Sequence, residues 1–452
     1  MRIFPVNSLA WLIVKENSFI IEIRVVLAQI SKIKEKKMQG KDNTKSTLYQ
    51  LFGQLSDKKI FCLLHKQLGI DRYVKKLTTE KLLFLIVLAQ LKQHKGLREI
   101  STSIGDDAVS RAIGLESISF SQISRRLASL PTEAFEVLFK HVVSKSIAKM
   151  GLQAVERNLN RLNLIDSSTI SLSLTRYPWA VFRKTKSGIK LHLRVRVLEE
   201  GVLPDEIVIT PAKPADRTQM DALVAEDPNA INVFDRGYMD YSKFDIYCEK
   251  GIRFVTRLKE NAVIKVVSER DVGNESTIKH DSIVILGRGT KCMQHKLRLI
   301  ETEDTEGNII NILTNDFDIS SGEISDIYRC RWQIELFFKW IKQHLKVKHF
   351  YGYSAQAVEN QLYIALITFC LLSLIKAEND YKGSLLELKR LLIACQHLSY
   401  QEFLKRLRRK PTRTSRGRVR PRHELIFKQT YHQVMAGDVD FLYDETYDPI
   451  IL

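Results

Sequence analysis

The apolar pattern of this 452-residue chain changes its period twice, and no other feature constrains the fold as strongly. From about Ser46 to Lys149 apolar residues recur three and four apart, as in TTEKLLFLIVLAQLKQHKGLREIS. That is helical spacing, and Thr79 is placed to cap the helix that follows it. A second helical pair, FSQISRRLASLPTEAFEVLFKHVVSK, is split at Pro131. Arg125 and Arg126 on its first arm read as a solvated face, with phosphate contact as the sharper reading. Near Leu162 the period drops to two. LNLIDSSTISL, IKLHLRVRVLEEG, DEIVITPAK, INVFDRGY and IRFVTRLKEN read as strands, with a helical signal in DRTQMDALVAE between the third and fourth. Strand-like segments continue from Ala262 to Asn315, and a long helical region starts around Gly322. Strands, a helix and more strands imply an α/β sheet, and the later strands imply a β-rich insertion within it.

The expected organisation is a helical N-terminal domain over residues 38–155, an α/β domain over 156–380 with the insertion at about 260–316, and a C-terminal helix with a basic tail over 381–452. In the first 37 residues an apolar stretch is interrupted by Lys15, Glu16, Glu22 and Arg24, which fits neither a signal peptide nor a membrane span. The polar run MQGKDNTKST from Met38 looks like a natural start, so residues 1–37 are expected to be an upstream extension or a disordered tail. Leu82–Leu91 and Tyr363–Ile375 fall short of the ~18 residues a bilayer span needs and read as buried core helices. Six scattered cysteines, without zinc-ligand spacing, read as free thiols in a reducing cytoplasm. The formal charge of +18 points to a polyanionic partner, with nucleic acid leading.

Two carboxylates end apolar strands: Asp166 in LNLID and Asp235 in INVFD. Either alone reads as a turn residue. The helix YRCRWQIELFFKWIKQHLK adds a third. Its polar residues Tyr328, Arg331, Glu335 and Lys342 lie at offsets 0, 3, 7 and 14. At about 100° per residue these share a stripe roughly 60° wide. Ile334, Phe337, Phe338, Ile341 and Leu345 form the adjoining core face, which lets Glu335 approach the sheet. Trp332, Leu336 and Trp340 form a third face, read as packing.

These residues carry a resemblance. The chain resembles bacterial insertion-sequence transposases of the DDE class, in the subgroup with a Y-(2)-R-(3)-E-(6)-K signature. Tyr328, Arg331, Glu335 and Lys342 match it at every interval, Asp166 in LIDSSTI matches the first aspartate, and Asp235 in FDRGY the second. The segment FRKTKSGIKLHL also resembles the strand region after the first aspartate, and the similarity runs from about Leu48 to Lys376. The resemblance implies a ribonuclease H-like core with a β-rich insertion, and Asp166, Asp235 and Glu335 as catalytic residues that ligate two Mg²⁺ ions, with Mn²⁺ as a substitute. It implies cut-and-paste transposition: cleavage at terminal inverted repeats, then attack of the freed 3′-OH on target DNA. Tyr328, Arg331 and Lys342 are expected on phosphates, Arg331 as a bidentate fork. The partner implied is double-stranded DNA, bound in part by the helical N-terminal domain, by a homodimer at the bacterial nucleoid in the cytoplasm, with no membrane. One departure stands out. Such relatives often use a Trp from the insertion to hold a flipped base, and none lies between Ala262 and Asn315. A catalytically silent DNA-binding descendant is the competing function, and the complete triad argues against it.

Three basic stretches account for the charge. Residues 405–422 hold ten Lys or Arg and no acid, residues 183–196 hold six and no acid, and Tyr328–Lys348 holds six against Glu335. Their surplus exceeds the chain's +18, so the remainder is slightly negative. Arg183, Lys184, Lys186 and Lys190, with Arg194 and Arg196, are expected along a DNA-facing strand pair, and Arg236 beside the second aspartate is a further expected DNA contact. The 405–422 tail is expected to be disordered in solution and to bind DNA without sequence preference. His192 reads as a strand residue and not as a ligand.

Overall fold

A computed structural model describes residues 46–151, 162–198, 201–272, 278–303 and 308–409, with residues 428 and 432. The expectations for residues 1–37 and for most of the basic tail lie outside the described residues.

Helices α1 (Thr47–Gly53), α2 (Lys58–Leu68), α3 (Thr79–Lys92), α4 (Leu97–Thr102), α5 (Asp107–Ile113), α6 (Phe120–Ser129) and α7 (Thr132–Gly151) come first. Ser46, Asp57, Asp106 and Ser119 each accept a first-turn amide that has no carbonyl partner within its helix. The cap of α3 is Thr78, not Thr79. The Thr79 amide and hydroxyl instead donate to Asp71, at 2.8 and 2.9 Å. Arg126 also pairs with Asp71, so it serves as an internal counter-ion, while Arg125 is exposed.

Ten strands form one sheet: β1 (Leu162–Leu172), β2 (Val181–Arg183), β3 (Lys186–Leu198), β4 (Gly201–Pro211), β5 (Ile231–Phe234), β6 (Arg253–Arg257), β7 (Ile264–Glu269), β8 (Ile278–Leu286), β9 (Leu297–Glu303) and β10 (Ile309–Thr314). The order is β2-β3-β1-β5-β6-β10-β9-β8-β7, with β4 also paired to β3. Only the β1–β5 and β5–β6 pairings are parallel. Strands β7 to β10, expected as an insertion, continue this sheet through the β6–β10 pairing. The helical signal in DRTQMDALVAE yields a 3₁₀ turn at Asp216–Gln219 and a single turn, α8 (Met220–Leu223). The Asn232 side chain clamps both the amide and the carbonyl of Ala225, which draws the chain out of the helix.

Helices α9 (Tyr241–Glu249), α10 (Ser321–Cys330), α11 (Trp332–His344), α12 (Ala355–Glu378), α13 (Leu385–Ala394) and α14 (Tyr400–Leu407) complete the described fold. The pleat divides two cores. Leu164 and Val233 face a large core shared with α3, α7, α11 and α12, whereas Ile165 and Phe234 face a smaller one with Tyr238, Phe244 and Phe254. Helix α12 is long and apolar enough to cross a membrane, but 94% of its most apolar window is buried inside the protein. It packs on α7, α3 and α6, and Asn360 Nδ2 donates to the carbonyls of Leu127 and Leu130.

Candidate active site

The pleat sets the first two carboxylates. β1 and β5 pair in parallel up to Ile165 opposite Phe234, so Asp166 and Asp235 are the next positions on strands about 4.8 Å apart. By alternation both point to the side of Leu164 and Val233, where α11 lies. Asp166 does not end its strand, as the sequence suggested. β1 runs on to Leu172 because β3 supplies an antiparallel partner, Asp166 opposite Leu193. Asp235 does follow the last residue of β5 and opens a 3₁₀ turn, Arg236–Tyr238.

The helix with the polar stripe is two helices. α10 ends at Cys330 and α11 starts at Trp332, with tightened bonds from the Arg331 amide to Tyr328 and from the Ile334 amide to Arg331. Arg331 keeps helical angles, φ −52° and ψ −33°, so the break tightens the coil with little change of direction. Trp340 is fully buried, edge-on to Phe369 and to His344, which makes the third face a packing face.

Arg331 links the carboxylates. Its guanidinium lies 2.6 Å from Glu335 and 3.7 Å from Asp166, and all three side chains are largely buried. Burial pushes the Asp166 carboxyl up to about 7; Glu335 and Asp235 push the same way, while Arg331 and the Ser167 amide, 2.7 Å away, oppose them. Burial also raises Glu335, against the pull of Arg331. Burial disfavours the Arg331 cation, yet Glu335, Tyr328, Asp166 and Asp235 outweigh it and keep the group charged. Tyr328 is buried with its ring 5.8 Å from that guanidinium, and its hydroxyl is raised, which keeps it a neutral donor. Lys342 is half-buried in the last turn of α11.

The expected DNA contacts divide into two groups. Arg183, Lys184 and Lys186 are exposed on the β2–β3 hairpin, and Arg236 is exposed near Glu260 at 3.5 Å. Lys190 is a correction. Its Nζ lies 2.9 Å from Asp216, and Arg194 and Arg196 both pair with the buried Asp205. Residues 183–196 contain no acid, but β4 and the 3₁₀ turn lay acids against their polar face, so half of this basic stretch is neutralised internally. His192 lies on that face as well, its Nε2 3.0 Å from the Thr210 hydroxyl, and burial lowers it to about 4.

Sequence reading missed Asp216 and Tyr238. Ser167 Oγ donates to Asp216 at 2.8 Å, and Tyr238 is buried beside both, its hydroxyl pushed up by burial and then by Asp166. Both lie on the side of β1 to which Ser167, the neighbour of Asp166 in sequence, points. Asp216 was hidden in a segment with a helical signal, although Tyr238 stood in plain view in FDRGY.

Carboxylates from two strands and a helix thus gather beside one arginine. Residues 158–371 match the family described as Transposase DDE domain, and residues 43–108 match a Domain of unknown function (DUF4372). The chain is 28% identical over 332 residues to a probable transposase for insertion sequence element IS5377 of Geobacillus stearothermophilus, covering 73% of this chain and 85% of that one. It is 34% identical over 239 residues to y4zB of Sinorhizobium fredii, which also bears a transposase name, covering 52% and 66%. A cryo-EM structure of a piggyBac transposase synaptic complex with hairpin DNA aligns over 88% of this chain and 86% of its own, at 12% identity and a TM-score of 0.40, too loose a likeness to argue from. The chain belongs to the DDE transposases of bacterial insertion sequences, enzymes that act on DNA.

The family implies a divalent metal. The donor set suits one: three oxygen ligands, mutually repelling, of the kind a hard cation takes. Among the described residues no three His, Cys, Asp or Glu side chains are grouped to hold an ion, and the Arg331 guanidinium supplies the positive charge between Asp166 and Glu335. The oxygen donors are of the kind such a cation takes, but their grouping here, with the Arg331 guanidinium between Asp166 and Glu335, does not form a metal site.

Proposed function

We propose that this transposase excises its element by cut and paste, through a ribonuclease H-like core whose catalytic groups are Asp166, Asp235 and Glu335 and whose signature is Tyr328, Arg331, Glu335 and Lys342. The observation that carries the reading is the register of Asp166 beside Asp235, with Arg331 joining Asp166 to Glu335. The parallel β1-β5-β6 centre with antiparallel neighbours, and a glutamate helix packed on β1, support the core assignment.

Asp166, Asp235 and Glu335 would hold two Mg²⁺ ions, or Mn²⁺ in their place, which would supply charge neutralisation at the scissile phosphate and activation of the attacking water. The chain's own groups position the rest. The Ser167 amide fixes one Asp166 oxygen. Arg331, released from Glu335 and Asp166, turns its fork to a phosphate, and the neutral Tyr328 hydroxyl donates to another oxygen. Lys342 adds a point charge further along the stripe. Arg183, Lys184, Lys186 and Arg236 hold the backbone of double-stranded DNA on the exposed side, the helical N-terminal residues hold a terminal repeat, and a homodimer brings two ends together at the nucleoid.

Incubating the purified chain with Mg²⁺ and a plasmid carrying both borders of the element tests this reading. The element should be released with 3′-OH ends that join to a second plasmid. Border binding without release would identify a silent DNA-binding descendant instead.

A further inference from the structure

We infer that the cavity between the N-terminal helices and the far end of β1 holds unpaired DNA nucleotides, a single-stranded end and not a duplex. The inference rests on the transposase reading and names a second DNA subsite outside its carboxylates. The cavity has a volume of about 740 Å³. Lys95 before α4 and Arg98 in its first turn form one wall, the chain at Ser171–Tyr177 a second, and the segment Lys348–Tyr353 after α11 the third. Its size falls within the roughly 300–1,000 Å³ of sites for small organic molecules, which suits one or two nucleotides and is too small to enclose a double helix.

Two features identify the occupant. The first is an aromatic wall. Buried Tyr177 stands edge-on to Phe350 at 6.3 Å, to Tyr353 at 5.6 Å and to Trp179 at 6.4 Å. Trp179 Nε1 donates to the Tyr353 carbonyl at 2.7 Å, and the Tyr353 ring is held in the open, 54% exposed. A fixed, exposed ring is a stacking platform for a base, and a base offers its face when it has no partner strand.

The second feature is charge. The Arg176 guanidinium lies 5.8 Å from the Tyr353 ring centre and that of Arg98 lies 5.3 Å from Phe120. Among the described residues neither has a carboxylate partner, so both retain their capacity for phosphate. Glu99 is the one acid lining the cavity, and it is occupied by the Lys95 amide at 2.6 Å and by His94 at 3.0 Å. Ser171 lies five residues beyond Asp166 on β1. At about 3.3 Å per residue the separation is roughly 17 Å, so a strand seated here lies within a few nucleotides of the carboxylates.

Fluorescence anisotropy in EDTA, with a labelled duplex either blunt or carrying a short 3′ thymine tail, tests the site without cleavage. The wild-type chain should bind the tailed duplex about tenfold tighter, equivalent to about 1.4 kcal/mol. Tyr353→Ala and, separately, Arg176→Gln should abolish most of that preference and leave blunt-duplex binding unchanged. The inference is overturned if the wild type shows no preference, if the preference survives both substitutions, or if blunt and tailed binding weaken together. Cleavage is not read, so those failures leave the carboxylate assignment standing. A tail preference in a chain that never cuts would sink that assignment alone.

Discussion

At the residue scale the site is an electrostatic balance among Asp166, Asp235, Glu335 and Arg331. Asp166 is raised to about 7 in the folded state, above its ordinary value of 3.8. A carboxyl raised by folding contributes stability that is fully present below its unfolded pKa and is lost as pH rises through its folded pKa. The window here runs from about pH 4 to pH 7. Asp166→Asn removes that loss, so in metal-free buffer its thermal midpoint should exceed wild type by a few degrees at pH 8 and converge with it near pH 4. A variant no more stable at pH 8 would contradict the burial argument. Arg331→Ala should show the opposite. Without that cation the carboxylates repel unopposed, so the variant should melt lower at pH 7 and gain more from added Mn²⁺ than wild type does. Equal gains would mean that Arg331 does not stand in for a cation. The identities in this balance were legible in the sequence, because two strand-end aspartates and a fixed helical spacing name them. The contact of Arg331 with Asp166 was not, since it depends on how close α11 packs to β1. The Ser167–Asp216 hydrogen bond was hidden for the same reason, being made across elements.

At the element scale, alternation along β3 explains both what was readable and what was not. The pattern of Lys190, His192, Arg194 and Arg196 between apolar neighbours correctly marks one polar face. Its partners come from β4 and from a 3₁₀ turn, which no spacing within β3 can reveal. Asp205 is 8% exposed and holds two guanidinium groups, so Asp205→Ala should cost about 3 kcal/mol by urea denaturation, because the largely buried Arg194 loses its main counter-ion. A cost under about 1 kcal/mol would place these groups in solvent instead. Trp340→Ala tests the packing face of α11. It should cost about 3 to 5 kcal/mol through the cavity left beside Phe369, and a surface residue would cost far less. The single long helix read from Tyr328 to Lys342 misses its tightened turn at Arg331 because helical angles persist through it, and periodicity cannot register so small a shift.

At the scale of the whole molecule, the surplus charge divides by exposure. Arg183, Lys184 and Lys186 reach solvent, while Lys190, Arg194 and Arg196 are tied to acids. Each phosphate contact contributes about 0.9 to the slope of log affinity against log salt. Changing the first three to Gln should therefore flatten that slope by about 2 to 3, whereas Lys190→Gln should leave it unchanged. Equal effects would show that the hairpin does not carry the backbone. The division of the chain into helical and strand regions was readable because period tracks secondary structure. That the strands after residue 262 would extend the same sheet was not readable, because pairing partners are chosen in three dimensions. The most direct test of the account is single-turnover cleavage of an end-labelled terminal repeat in Mg²⁺ by wild type and by Asp166→Asn. Cleavage by the wild type with loss of at least about a hundredfold in the variant, the upper end of what losing a mere supporting partner of a metal ligand costs, is the predicted result. Equal cutting by the two proteins would contradict the assignment of Asp166, Asp235 and Glu335 as the centre that cuts DNA.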